Sequence, residues 1–360
     1  MPFDFQPAPI FAGAGLATPH APALAVPDSS RIDGLRWNCL MGLDVYDDDV
    51  DGYRARYGKA EGERRFFRER RPIERKTVRG NMLLIGGASN LWQYALGNGT
   101  TTSGQALTYL NSTQTHIAVG DGGPTALTGT ASVTNGSATV TASTSQSGLI
   151  GKFLQFAGDS TAGVYKVTAG SGTSWTISPV YGGATASGIS YTQITAEADG
   201  QTDLIASTNK VRQVVDAGFP AHSTGTTGQA VTAATNATPI VVTCTNSYAE
   251  GDFVLIQGVL GNTAANGLWR VVSVSGTAFT LEGSAGNGAY TSGGVASKSR
   301  VLVAQATFGT GAGNFAWNEW GVANAASGGT LINRKVAGLG TKTSAASWTF
   351  KVALGLGDRT

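Results

Sequence analysis

The chain has 360 residues, of which 51 are glycine, 41% are hydrophobic and only 13% are charged, and its formal net charge is +2. That apolar fraction excludes a chain disordered throughout, which needs few apolar residues and high net charge. The near-neutral balance gives no global case for nucleic-acid binding, and the length fits two or three domains of roughly 100–200 residues each.

Residues 1–47 open as an extended N-terminal arm followed by a first strand. Pro2, Pro7, Pro9, Pro19, Pro22 and Pro27 remove N–H donors and fix φ, which disfavours a packed helix or central strand. A loose tail is one reading. An arm lying on a neighbouring subunit is the better one, because Phe3, Phe5, Ile10, Phe11 and Leu16 suit a segment that touches something. Leu35, Trp37, Cys39, Met41, Leu43 and Val45 then alternate strictly, predicting a strand with one apolar face.

Residues 48–80 form a charged segment. Acids come first (Asp48, Asp49, Asp51) and bases last (Arg64, Arg65, Arg68, Arg70, Arg71), the order a helix dipole favours. A short helix ending before Pro72 is expected. Interleaved Glu61, Glu63 and Glu69 repel a polyanion, so Arg64, Arg65 and Arg68 read as a subunit-contact surface rather than a nucleic-acid site.

Strands are expected at Met82–Ile85, Trp92–Leu96 and Thr115–Val119, and later at 300–308, 315–322, 330–336 and 348–356. Two look-alike segments, 129–192 and 229–296, interrupt this series. Gly151-Lys152-Phe153-Leu154 matches Gly251-Asp252-Phe253-Val254, and Gly163-Val164-Tyr165-Lys166-Val167 matches Gly267-Leu268-Trp269-Arg270-Val271. Ser171-Gly172-Thr173 precedes Trp175, as Ser275-Gly276-Thr277 precedes Phe279. A divergent duplication of a small β module explains the shared order. The expected fold is therefore all-β. A discontinuous β-sandwich-like core (81–128, 193–228 and 297–360) carries two inserted modules, with the arm and the charged helix in front.

Near the C-terminus, Ala306-Thr307-Phe308, Asn314-Phe315-Ala316-Trp317-Asn318-Glu319-Trp320-Gly321-Val322 and Leu331-Ile332-Asn333-Arg334-Lys335 resemble the last domain of many tailed-bacteriophage virion proteins. Leu339-Gly340-Thr341-Lys342-Thr343 and, upstream, Ile117 to Gly123 extend the likeness, which covers about residues 80–360. The modules resemble small β units of phage fibre and receptor-binding proteins. The second is also similar to the fold called the first catalytic cysteine half-domain in ubiquitin-activating enzymes, without a nucleophile's surroundings at Cys244. The resemblance implies a virion structural protein: a fibre, collar or neck appendage, or alternatively a capsid decoration protein or a glycan-binding or depolymerising tail protein. It would assemble in the host cytoplasm as a trimer or ring and contact other virion proteins.

Chemistry-bearing patterns are weak. His20, His116 and His222 have no ligand-spaced partners for zinc, and Cys39 and Cys244 read as buried thiols. The acids from Asp44 to Asp51 lack the later Glu of a calcium loop. No cofactor, metal or catalytic residue is expected, and no apolar run approaches the ~18 residues that span a bilayer. Trp175 and Trp269 read as core, leaving Tyr181 and Tyr290 as candidate glycan contacts. Trp317 and Trp320 cannot share a face of a regular strand, so one is expected in the core and the other on a neighbour or bulge. Glu319 is expected to pair with Arg334 or Lys335, and Trp317, Glu319, Trp320 and Arg334 are the candidate assembly site here.

Overall fold

The computed structural model describes residues 37–80, 82–96, 109–223 and 225–356. Strand β1 (Trp37–Tyr46) leads into α1 (Val50–Tyr57) and α2 (Lys59–Glu69), then β2 (Glu74–Arg79), β3 (Met82–Leu83), α3 (Ile85–Leu96) and β4 (His116–Gly120). Module 1 follows as β5 (Thr125–Ala126), β6 (Ala131–Val133), β7 (Thr139–Gln146), β8 (Phe153–Phe156), β9 (Tyr165–Ser178), β10 (Ala186–Ile189) and β11 (Tyr191–Ile194). The chain returns through β12 (Lys210–Val214) and β13 (Ala221–His222). Module 2 holds β14 (Gln229–Ala230), β15 (Ala233–Ala234), β16 (Val241–Thr243), β17 (Phe253–Leu260), β18 (Gly267–Ser275), β19 (Ala278–Leu281) and β20 (Ser292–Lys298). The last core strands are β21 (Leu302–Phe308), β22 (Ala316–Ala323), β23 (Asn333–Thr341) and β24 (Ser347–Leu356).

The all-β class is what the chain adopts. Two five-stranded antiparallel sheets, β13-β21-β24-β1-β2 and β12-β4-β22-β23-β3, face each other. Odd residues of β1 (Cys39, Met41, Leu43, Val45) meet Ile117 and Val119 of β4 and Trp317, Trp320 and Val322 of β22 in one buried cluster. Trp317 packs edge-on against Phe308 and Trp348 at centroid distances of 4.7 and 4.8 Å. Each such pair adds about 0.5–1.5 kcal/mol beyond area burial. Cys39 and Cys244 are buried free thiols, and burial pushes the Cys39 thiol up.

Several expectations change. The charged segment is two helices, not one, because Gly58 sits between them at φ +79°, a conformation other residues resist. Asp49 caps α1 by accepting the Asp51 N–H at 3.0 Å. The segment 48–80 also contains β2, and β1 lies inside a core sheet between β24 and β2. The run Trp92–Leu96, expected as a strand, is the last part of α3. Periodicity alone does not separate a short apolar strand from a helix end. Phe3, Phe5 and Phe11 lie outside the described residues.

The helices cross at Gly62, where a Cβ would fall 2.5 Å from the Tyr53 carbonyl oxygen. Gly62→Ala is expected to lower stability by about 1–3 kcal/mol. Denaturant titration checks this; an unchanged midpoint would show that the crossing tolerates a methyl group.

The modules share more than sequence. From one edge, module 1 runs β5-β11-β8-β9-β7-β6-β10 and module 2 runs β14-β20-β17-β18-β19-β16-β15. The long bent β9 covers the course that β18 and β19 divide between them. Registers repeat: Leu154 opposes Tyr165 as Val254 opposes Trp269, and Val140 opposes Trp175 as Val242 opposes Phe279. Gly151 and Gly251 stand at φ +85° and +86°. Their N–H groups donate to Val167 and Val271 carbonyls, each at 2.8 Å.

Candidate functional site

Each module fills a hairpin connection, module 1 between paired β4 and β12 and module 2 between paired β13 and β21. Each then lies on the outer face of a core sheet. Phe153, Val164 and Ala196 of module 1 and its exit segment pack with Ile194 against Val336 of β23. Phe253, Leu268 and Val301 pack against Leu40 of β1, Ala353 of β24 and Val303 of β21. The registers make Phe153 equivalent to Phe253, Val164 to Leu268 and Ala196 to Val301. One docking face has thus been used twice, on opposite sides of the sandwich.

Polar groups complete each dock. On the module 1 side, Arg334 Nε donates to Glu319 Oε2 at 2.7 Å, and both side chains are 0% exposed. Glu319 also accepts the N–H groups of Ile205 (3.1 Å) and Ala206 (2.8 Å). Arg334 reaches the Thr195 and Ala196 carbonyls at 3.2 and 3.1 Å. The pair therefore ties the module's return segment to β22 and β23. Asn318 exchanges hydrogen bonds with Gln155 of β8 at 2.9 and 3.1 Å.

On the module 2 side, Arg270 of β18 forks onto Asp44 of β1, with N–O distances of 2.9 and 2.6 Å, and lies 3.5 Å from Glu282. It crosses β1 at Gly42, where a Cβ would stand 2.6 Å from its Nη1. Burial by itself would pull the Arg270 guanidinium down, but Asp44 outweighs it and holds the group above its ordinary value. Burial pushes Glu282 up. Arg79 stacks 3.7 Å from the Trp269 ring centroid, and Arg75 pairs with Glu250 at the rim.

A third buried cluster pins the helices. Arg54 Nη2 lies 2.8 Å from Glu63 and 3.0 Å from Asp216, which also accepts from Thr307 and Gln305. Burial, then the nearby Glu63 carboxylate, pushes Asp216 up to about 6. The folded chain therefore binds this proton more readily than the unfolded one, and the group's contribution to stability falls as pH rises through that value. Stability of the wild type relative to Asp216→Asn is expected to drop by about 2 kcal/mol between roughly pH 4 and 7. Parallel denaturation curves across that range would exclude the effect.

The candidate assembly residues fall into two groups. Trp317, Glu319, Trp320 and Arg334 are completely buried and so cannot form a contact surface; this corrects the expectation. Both indoles face the core because pairing with β23 shifts between Trp317 and Glu319. That irregularity turns Asn318 and Glu319 outward together, as a bulge does. Arg64, Arg65 and Arg68 do stand on the surface of α2, paired with Glu61, Glu61 and Glu69. Tyr181 is 1% exposed inside module 1, which removes it as a glycan contact. Tyr290 is half-buried, and its hydroxyl donates to the Val231 and Gly293 carbonyls at 2.8 and 3.0 Å. Sequence reasoning missed Gly42, Asp44 and Arg270 as a unit. The one available signal was an acid at an even position of a strand whose odd positions are apolar.

Compared with known proteins, the chain matches no family model, no curated protein and no solved structure. Among the described residues no group of three or more His, Cys, Asp or Glu side chains could hold a metal ion, and no helix is long and apolar enough to cross a membrane.

Proposed function

We propose that this chain is a structural component of a tailed-phage virion, a fibre, collar or neck appendage that works by oligomeric assembly and attachment. The observation that carries the reading is the duplicated docking face. Arg270, Glu319 and Arg334 are spent on fixing two modules to one sandwich, which favours a rigid multi-part scaffold. Surfaces suited to neighbours are the edge strand β2, with Ile73 beside it 64% exposed, and the arginine face of α2. Open strand edges are commonly covered by a second chain, and homotypic rings or trimers do so by symmetry. Residues 1–34, read from the sequence as an arm, carry apolar residues that suit the same task. The resemblance of the C-terminal runs to virion proteins sets the context.

Light scattering of the purified chain is expected to give a multiple of 36.8 kDa. A monomer at micromolar concentration would refute assembly through the arm. Copy number per virion separates an appendage, at a few to tens, from a decoration protein at hundreds.

A further inference from the structure

Module 2 and the core sheet border an open cleft of ≈ 470 Å³ beside the docking face. This lies within the roughly 300–1,000 Å³ range of small-molecule sites. Its walls include Phe219, Phe253, His222 and Asp252, and two lysines line it, Lys298 and Lys351.

The two lysines differ. Lys298 pairs with Asp252 at 2.7 Å. Lys351, on β24, forms no ion pair among the described residues; its ammonium donates to the Gly251 carbonyl at 3.1 Å. It lies 6.0 Å from the Phe219 ring centroid and 5.7 Å from that of Phe253. Lys351 is half-buried, and a partly desolvated ammonium with one carbonyl acceptor gains from an arriving counter-charge. The neighbouring acids are engaged elsewhere: Asp44 holds Arg270, and Asp252 holds Lys298. Burial, then repulsion from Arg270, pushes Lys351 down to about 8.

Docking does not require these charges. Module 1 keeps the docking phenylalanine, Phe153, and the turn glycine, Gly151. At the register positions of Asp252 and Lys298 it carries Lys152 and Gln193. The charged lining therefore belongs to the cleft and not to the shared way of holding a module.

We propose that this cleft binds small monocarboxylates carried on a flat ring, with the Lys351 ammonium as anchor and Phe219 and Phe253 as walls. A single ammonium with open N–H donors matches one carboxylate as a point charge. The Asp252 carboxylate beside it disfavours a dianion. His222, Thr226 and Ser247 line the same cleft and can meet polar substituents on the ring. The site is independent of the virion reading.

Calorimetry on the full chain tests it, with benzoate as probe and benzamide as its neutral counterpart. Benzoate is expected to bind at least about tenfold more tightly than benzamide, a difference of ~1.4 kcal/mol. Near pH 8 binding should take up a fraction of a proton, read from the dependence of the heat on buffer ionisation. The charged groups acting on Lys351 are Arg270, Asp252, Asp44 and Lys298, with His222 lining the same cleft, and Lys351→Met should remove both the uptake and the preference. Equal binding of the two probes, no binding of benzoate at tens of millimolar, or an unchanged affinity in Lys351→Met would each overturn the proposal. If that variant does not fold, the wild type decides. Benzoate, and not benzamide, should slow acetylation of Lys351 relative to exposed Lys166 in mass spectra, and absence of protection would refute the site.

Discussion

Replacing Glu319 by alanine is expected to destabilise the folded chain by about 3–5 kcal/mol, the usual cost of stripping one partner from a buried ion pair. Arg334 would be left without its carboxylate in an environment where both side chains are 0% exposed. The N–H groups of Ile205 and Ala206 would lose their acceptor at the same time. An unpaired buried donor adds about 1–3 kcal/mol. Glu319→Gln keeps a carbonyl oxygen for one donor and is expected to cost less. Urea titration measures the order, and amide exchange locates the damage in 195–206, where Arg334 and Glu319 hold the return from module 1. Equal midpoints for wild type and Glu319→Ala would mean that the pair contributes nothing.

Arg270→Ala is expected to have a comparable effect, about 3–5 kcal/mol by the same mechanism, centred on the contact between module 2 and β1. It would leave Asp44 and Glu282 buried without their shared cation. It would also open a gap over Gly42, where the guanidinium now lies. The expected signature is uncoupling: Leu40 of β1 and Val303 of β21 gain solvent exposure, read by hydroxyl-radical labelling, while the cluster around Phe279 and Trp269 persists. The double change Arg270→Met with Asp44→Leu should recover part of the loss, because apolar replacement of both partners of a buried pair is often neutral. A double variant as unstable as the sum of the singles would argue that packing, and not the ion pair, holds the module.

Much of the fold was legible. The odd face of β1 was readable because a period of two is local and the apolar side chains of one face must meet a core. The duplication was readable because turn glycines, such as Gly151 and Gly251, recur at the same place relative to the aromatic that follows. Strand order and register then repeated with it.

Other features were not legible, for reasons that are also physical. The even face of β1 carries Leu40, Gly42 and Asp44, which reads as a mixed, solvent-facing series. It is buried because module 2 lies on it, and the partner that neutralises Asp44 is 226 residues away. Trp317 and Trp320 obey alternation only for a regular strand, and a bulge is a pairing defect that needs its partner strand to be seen. α3 was misread at Trp92–Leu96 because a five-residue apolar run fits either period. The sequence by itself determined the local periods, and hence the β class, the inner face of the sandwich and the existence of two like modules. The tertiary structure alone decided which outer face each module covers, since covering a face is a contact between distant segments and leaves no period in either one.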